Sequence, residues 1–276
     1  MKYPFLRFPG FKYKVVTLSY DDGMIYDKKL VEIMDKYGLK GTFNLNSGMF
    51  GNRENRRLTK EEILELFQNS DHEVAIHGKN HRSLTSASTA MATDDVLADR
   101  VALEEMFGRN ITGMAYAFGH YDDNVVEILQ KCGVDYCRTT KTTETFDIPT
   151  DWLRMPTTCH HKNPRLMELA EEFVAMQPPA FPWDQTAKLF YVWGHSYEFN
   201  DADNWHIIEE FAEFIGGRED IWYATNMEIF QYVKAYDRLE FSALGDRVYN
   251  PSATDIYMRH FGKDVLIKAG QTVQLK

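Results

Sequence analysis

Two pairs of residues in this chain have types and spacing suited to chemistry. His77 and His81 bracket Gly78-Lys79-Asn80. Imidazoles four residues apart can face one side of a single turn and grip one ion, or they can be two hydrogen-bonded loop histidines. Asp21 and Asp22, followed by Gly23, close the apolar run from Val15 to Tyr20. Adjacent carboxylates repel, and each must be desolvated or paired, a cost that a cation offsets; an ordinary Asp-Gly turn is the plainer alternative. His195 closes another apolar run, Leu189 to Gly194. Cys159-His160-His161 has the look of a second ligand cluster, although adjacent histidines seldom converge on one ion. His195-Ser196 has no GxSxG elbow around it, which argues against a serine nucleophile.

The elements that must position these residues alternate. Strands are expected at 15–20, 42–45, 72–76, 114–118, 134–138, 152–155, 189–193 and 221–224. Helices are expected at 27–37, from Thr59, and at 94–107, 124–132, 165–173, 205–214 and 227–236. The first helix sets Leu30, Ile33, Met34 and Tyr37 on one face, with Gly38 as its stop. Thr59 and Glu62 form a capping-box pattern. Repeated strand–helix units imply a parallel sheet, either a barrel or a doubly wound sheet. Asp21, Asp22, His77 and His195 each follow a strand, and strand C-termini converge at the mouth of a (β/α) barrel. The expected fold is therefore α/β, a deformed (β/α) barrel over residues 1–238. A small β-rich C-terminal extension follows over 239–276, where short apolar pieces alternate with Gly, Asn, Pro and Asp.

Composition narrows the function. The chain has 276 residues, 44% hydrophobic and 26% charged, so a large core is available. A net charge of -10 without a basic stripe excludes a nucleic-acid partner and favours a neutral or cationic substrate. No GxGxxG or Walker-type loop is present, which weakens a nucleotide-binding reading. Three cysteines, an odd number without CxxC, give neither a disulfide framework nor a zinc knuckle. No run is long enough to span a bilayer, and Met1 to Phe5 shows no hydrophobic signal segment, which reads as cytoplasmic.

Taken together, the motifs resemble those of the polysaccharide deacetylases, carbohydrate esterase family four with the nodulation-protein-type domain. Thr17 to Gly23 resembles TFDDG, with Tyr20 for Phe. His77 to His81 resembles H[ST]xxH, with Gly78 for the hydroxyl residue. Ala115-Tyr116-Ala117-Phe118-Gly119 resembles RxPYG, and Leu189 to His195 resembles the final apolar strand closed by histidine. The motifs fall in family order between about residues 14 and 230; the β-like tail lies outside the resemblance.

The resemblance implies a barrel of the polysaccharide deacetylase type and a hydrolase acting on an acetylated carbohydrate. It implies one divalent ion on Asp22, His77 and His81, with zinc as the expected metal and cobalt or nickel as alternatives. The ion would activate a bound water and polarise the acyl carbonyl. Asp21 would serve as base and His195 as acid. Tyr116, Phe118, Gly119, Trp152 and Trp193 would contact substrate, with a backbone amide near Tyr116 or Phe118 on the oxyanion. The sequence departs from the family at Ala115 and Ala117, where Arg and Pro are usual. Arg154 is the expected substitute, within hydrogen-bonding distance of Asp21. Two alternatives remain: a same-fold amidohydrolase acting on a cyclic imide or ureide, and a weakened carbohydrate-binding homologue.

Overall fold

The computed structural model describes residues 3–181 and 186–275. In chain order the first strands are β1 (Leu6–Arg7), β2 (Lys14–Asp21), β3 (Gly41–Leu45), β4 (Glu73–Ile76), β5 (Gly113–Ala115) and β6 (Tyr136–Thr142). Next come β7 (Met155–Thr157), β8 (Cys159–His160), β9 (Lys188–Gly194) and β10 (Ile221–Tyr223). The helices are α1 (Asp27–Lys36), α2 (Lys60–Phe67), α3 (Thr89–Phe107), α4 (Asp123–Lys131), α5 (Leu166–Ala175), α6 (Ser196–Asp201), α7 (His206–Ile215) and α8 (Asn226–Asp237).

The main sheet is parallel, in the order β7-β6-β5-β4-β3-β2-β9-β8, with β10 also on β2. Strand β2 is buried along its whole length, as expected for a parallel strand covered on both faces. One of its edges is shared: β10 pairs with Lys14 to Val16, and β3 with Leu18 to Asp21. The two ends of the strand order meet. Strand β7 pairs with β6 and β8 pairs with β9, yet only Thr158 separates them, and its amide donates to Tyr191 O at 2.9 Å. Residues 155–160 thus bridge the margins of the sheet and curl it into a barrel.

Local chemistry sets the helix ends. Thr59 and Glu62 form a reciprocal capping box on α2, and Thr225 and Glu228 do the same on α8. Helix α3 begins at Thr89 rather than at Asp94, because the Ser88 side chain accepts from Met91 N. The segment expected as a strand at 152–155 instead starts with a 3-10 turn, Trp152–Arg154, capped by Asp151. The strand begins only at Met155.

Two apolar cores result. The larger lies between the barrel strands and the surrounding helices, and includes Leu18, Phe43, Ile76, Met114 and Val192. The second joins β1, α8 and the C-terminal segment through Tyr3, Phe8, Tyr136, Trp152, Val233 and Met258. That segment holds β11 (Glu240–Phe241), β12 (Arg247–Tyr249), β13 (Ile256–His260), β14 (Lys263–Ile267) and β15 (Thr272–Gln274). They form two small antiparallel sheets, β11-β12-β15 and β1-β13-β14, so the first strand of the chain pairs with one of the last. Among the described residues, no helix is long and apolar enough to cross a membrane.

Candidate active site

The C-terminal ends of the barrel strands collect a dense polar cluster. Asp21 ends β2, His77 follows β4, and His195 follows β9. Asp22 continues from β2, but its φ of 89° is left-handed; His81 (φ 51°) and Gly78 (φ 79°) are left-handed too. Positive φ is unfavourable for a residue with a Cβ, and held strain of this kind gathers at functional sites. A network from α3 pins the loop. Asp99 accepts from His77 N and Ser47 N, and Asp95 accepts from Asn80. Asn46 donates to His77 O and Gly78 O.

Three donor groups face one another. Ligand atoms of Asp22, His77 and His81 all lie within 4.8 Å of one another. His77 Nδ1 is 2.9 Å from Ala115 O, which fixes the proton on Nδ1 and leaves the Nε2 lone pair facing the carboxylates. His81 Nε2 is 3.6 Å from Asp22 Oδ1. That oxygen is buried and has no hydrogen bond, although Arg57 Nη1 is 3.1 Å away. An orphaned carboxylate oxygen beside two imidazole lone pairs fits a divalent cation with borderline-soft ligand preference. Burial pulls the His81 imidazole down to about 4, so it is neutral and able to ligate near pH 7.

Asp21 is held differently. Arg138 Nη2 donates to both of its carboxylate oxygens, at 2.6 Å to Oδ1, and Asn44 Nδ2 adds a bond of 2.8 Å. Burial alone would raise this carboxyl; the Arg138 charge and its hydrogen bonds, with His195 nearby, outweigh it and hold it at about 2. Across the site, His195 Nε2 lies 3.9 Å from Asp21 Oδ2, and His77 Nε2 lies 3.8 Å from the same oxygen. The Arg138 guanidinium also sits 4.4 Å over the Trp193 ring, a cation–π contact in a desolvated place.

Asp21, Asp22, His77, His81 and His195 therefore come together, and Arg154 does not. Its guanidinium pairs with Asp151 at 2.8 Å and with Asp123, outside the cluster. The turn Trp152–Arg154 carries it away from the mouth, and Arg138 occupies the place expected for it. Trp152 is likewise a core residue: it is buried against Phe230, ring centroids 5.2 Å apart. Trp193 is buried at the mouth with one face under Arg138. The Tyr116 amide donates to Arg138 O and its hydroxyl to Leu153 O, so its polar groups are already engaged. Phe118 is 57% exposed, has a φ of 60°, and leans its ring edge on His81. Gly119 follows at φ 70°, and a Cβ there would meet the Thr140 side chain. Arg138 was missed because it belongs to no motif and lies within an otherwise ordinary strand. The available signal was its type: a guanidinium in a strand buried on both faces requires a carboxylate.

A parallel, helix-wrapped barrel with a carboxylate–histidine cluster at its C-terminal mouth is the common plan of many hydrolases. Residues 10–137, the segment that carries Asp21, Asp22, His77 and His81, match the family model for polysaccharide deacetylase. A curated relative, the candidate polysaccharide deacetylase YxkH of Bacillus subtilis (strain 168), is 24% identical over 131 residues, 46% of this chain and 45% of that one. The match thus spans about half the length of that relative. The crystal structure of a candidate polysaccharide deacetylase from Mycobacterium smegmatis superposes with a TM-score of 0.59 at 17% identity, over 86% of this chain and 95% of the other. A family 4 carbohydrate esterase from Streptomyces lividans, in complex with acetate, gives 0.50 at 13% identity, over 76% and 92%. At such identities the likeness is one of fold.

Proposed function

We propose that this protein is a divalent-metal-dependent deacetylase that hydrolyses an N- or O-acetyl group on a carbohydrate. The observation that carries the reading is that one buried carboxylate, Asp21, stands between a three-ligand cation site and His195, with Arg138 keeping it ionised. Asp22, His77 and His81 would hold the ion, zinc being the best match to one carboxylate and two imidazoles. When bound, the ion supplies Lewis acidity to the acyl carbonyl and to the attacking water.

The chain's own residues do the rest. Asp21, ionised near neutral pH, takes the proton from the attacking water. Asn44 and Arg138 keep its two oxygens oriented while the proton moves. His195, which reaches the site from the far side, gives a proton to the departing amine or alkoxide as the carbonyl carbon–heteroatom bond breaks. The products are acetate and the free amino or hydroxyl sugar. Phe118, the exposed aromatic at the rim, offers a face for a sugar ring. Arg138 puts a guanidinium on Asp21 where Ala115 has none, which supports the deacetylase reading over a weakened binding homologue.

The test is acetate release by the zinc-loaded protein from N-acetylglucosamine oligomers and from O-acetylated sugars, beside a small cyclic imide. Release should stop with a chelator and fall roughly 10²–10⁴-fold in Asp21→Asn and in His195→Ala. Turnover of the imide with no acetate from any sugar would replace this reading with the amidohydrolase one.

A further inference from the structure

A second cluster lies behind His195. His160 Nε2 and His161 Nε2 are each 3.1 Å from Glu198 Oε2, and His195 Nδ1 is 3.4 Å from that oxygen. Lys162 Nζ is 2.7 Å from Glu198 Oε1. Glu198 lies three residues after His195 in α6, a spacing that returns its carboxylate to the helix start, where it also accepts from His195 N at 3.3 Å.

The donor atoms of His160, His161 and Glu198 are close enough together to hold a cation. Two observations speak for a hydrogen-bonded role instead. His160 Nδ1 accepts from Lys162 N at 3.0 Å, so the proton of a neutral ring is on Nε2 and that atom donates to Glu198 rather than ligating. The Lys162 ammonium already neutralises the other oxygen. The carboxylate is thus clamped from several sides, and these contacts together hold it far below the usual carboxylate range despite its burial. His195 Nδ1, in contrast, is buried and has no hydrogen bond of ordinary geometry among the described residues.

Resting on the acid role given to His195 above, we propose that Glu198 is its positioning residue. The clamped carboxylate accepts a hydrogen bond from Nδ1–H of His195, so that in the imidazolium the Nε2 proton faces Asp21 and the reacting atoms, and once that proton has passed to the leaving group the neutral ring keeps its proton on Nδ1. His160 and Lys162 act one step further back by preventing Glu198 from turning. The 3.4 Å separation is long for a hydrogen bond, and contacts of this kind tighten when substrate fills the site. The sequence carries the arrangement in two short runs, His160-His161-Lys162 and His195-x-x-Glu198.

The test is nitrogen-resolved NMR of the imidazoles in the zinc-loaded full chain, with His195 assigned through His195→Gln. In the parent protein, neutral His195 should carry its proton on Nδ1; in Glu198→Gln that tautomer should no longer dominate. Turnover of Glu198→Gln should fall roughly tenfold or more with KM within about twofold, and Glu198→Asp should recover part of it. An Nε2-protonated His195 in the parent protein would overturn the proposal even if Glu198→Gln failed to fold. An unchanged tautomer and turnover in a folded Glu198→Gln would overturn it too. Because the tautomer is read without turnover, a parent protein that releases no acetate would count against the proposed function, while the tautomer would still decide whether Glu198 orients the His195 ring. Broadening or shifting of the His160 and His161 signals by a second equivalent of zinc would overturn the hydrogen-bonded role in favour of a second metal site.

Discussion

Replacing Arg138 with Met should reverse the way Asp21 contributes to stability as pH changes. In the parent protein this carboxyl is held at about 2 rather than near 3.8. A depressed folded pKa means stabilisation that is fully present above about 4 and lost as pH falls through about 2. At about 1.4 kcal/mol for each tenfold change in the ionisation constant, that depression stabilises this fully buried group by on the order of 2 kcal/mol. Without Arg138, burial becomes the dominant influence and the carboxyl should titrate above 3.8, so ionising it becomes a penalty that grows with pH. Loss of one partner from a buried ion pair typically costs about 3–5 kcal/mol. Part of this is offset here, since Arg138 Nε and Nη1 are themselves buried without partners and Met relieves them. The assay is urea unfolding of the metal-free parent and Arg138→Met proteins at pH 4 and pH 7, with a carboxyl NMR titration of Asp21. The variant should lose at least 2 kcal/mol more at pH 7 than at pH 4, on the order of one pKa-unit conversion or more. Equal losses at both pH values, or Asp21 still titrating near 2 in the variant, would refute the reasoning.

Other consequences can be checked alongside. Titration calorimetry should find about one zinc per chain, and His81→Ala should bind it at least tenfold more weakly, because losing a ligand exceeds losing a ligand's support; full affinity in that variant would remove His81 from the site. Asp27 is buried under Ser196 and Met24, and burial raises its carboxyl to about 7. A raised folded pKa in an acid means stability declines as pH rises from about 4 towards 7, by up to roughly 4 kcal/mol. In the metal-free Asp27→Asn protein that decline should flatten, and an unchanged slope in unfolding experiments would show that Asp27 ionises freely. A Cβ at Gly194 would fall 2.0 Å from His161 Nδ1, inside a ring stacked on Phe199. Gly194→Ala should therefore cost roughly 1–3 kcal/mol, and a parent-like melting temperature would show that the His161 ring can move aside.

Much of the site could be read from sequence because its residues carry local marks. Asp21, His77 and His195 each end an apolar run, and a parallel barrel turns strand ends into neighbours. Arg138 and Glu198 lack that mark. Arg138 belongs to the interior of β6, and its partner lies 117 residues away across the barrel, a relation fixed by strand order and register rather than by any local pattern. Arg154 looked equivalent because it follows an apolar stretch, but Asp151 capping turned Trp152–Arg154 into a 3-10 turn and aimed the guanidinium outward. Trp152 was misplaced by the same turn. Helix α3 began early because a single serine hydroxyl extended it past its apolar periodicity.

The pairing of β1 with β13 has a consequence in time rather than in space. Leu6 lies opposite Met258 and Arg7 opposite Tyr257, and the Tyr232 hydroxyl ties the two together by donating to Arg7 O and accepting from Tyr257 N. A ribosome releases the first of these strands some 250 residues before its partner exists, at roughly 5–20 residues per second. For more than about ten seconds, the apolar side chains of Leu6 and Phe8 lack the strand they later pack under. Contacts of such sequence separation form slowly. The second core, between β1, α8 and the C-terminal strands, is thus closed as a late event, and the nascent chain passes through a period in which this segment is exposed and available to chaperones.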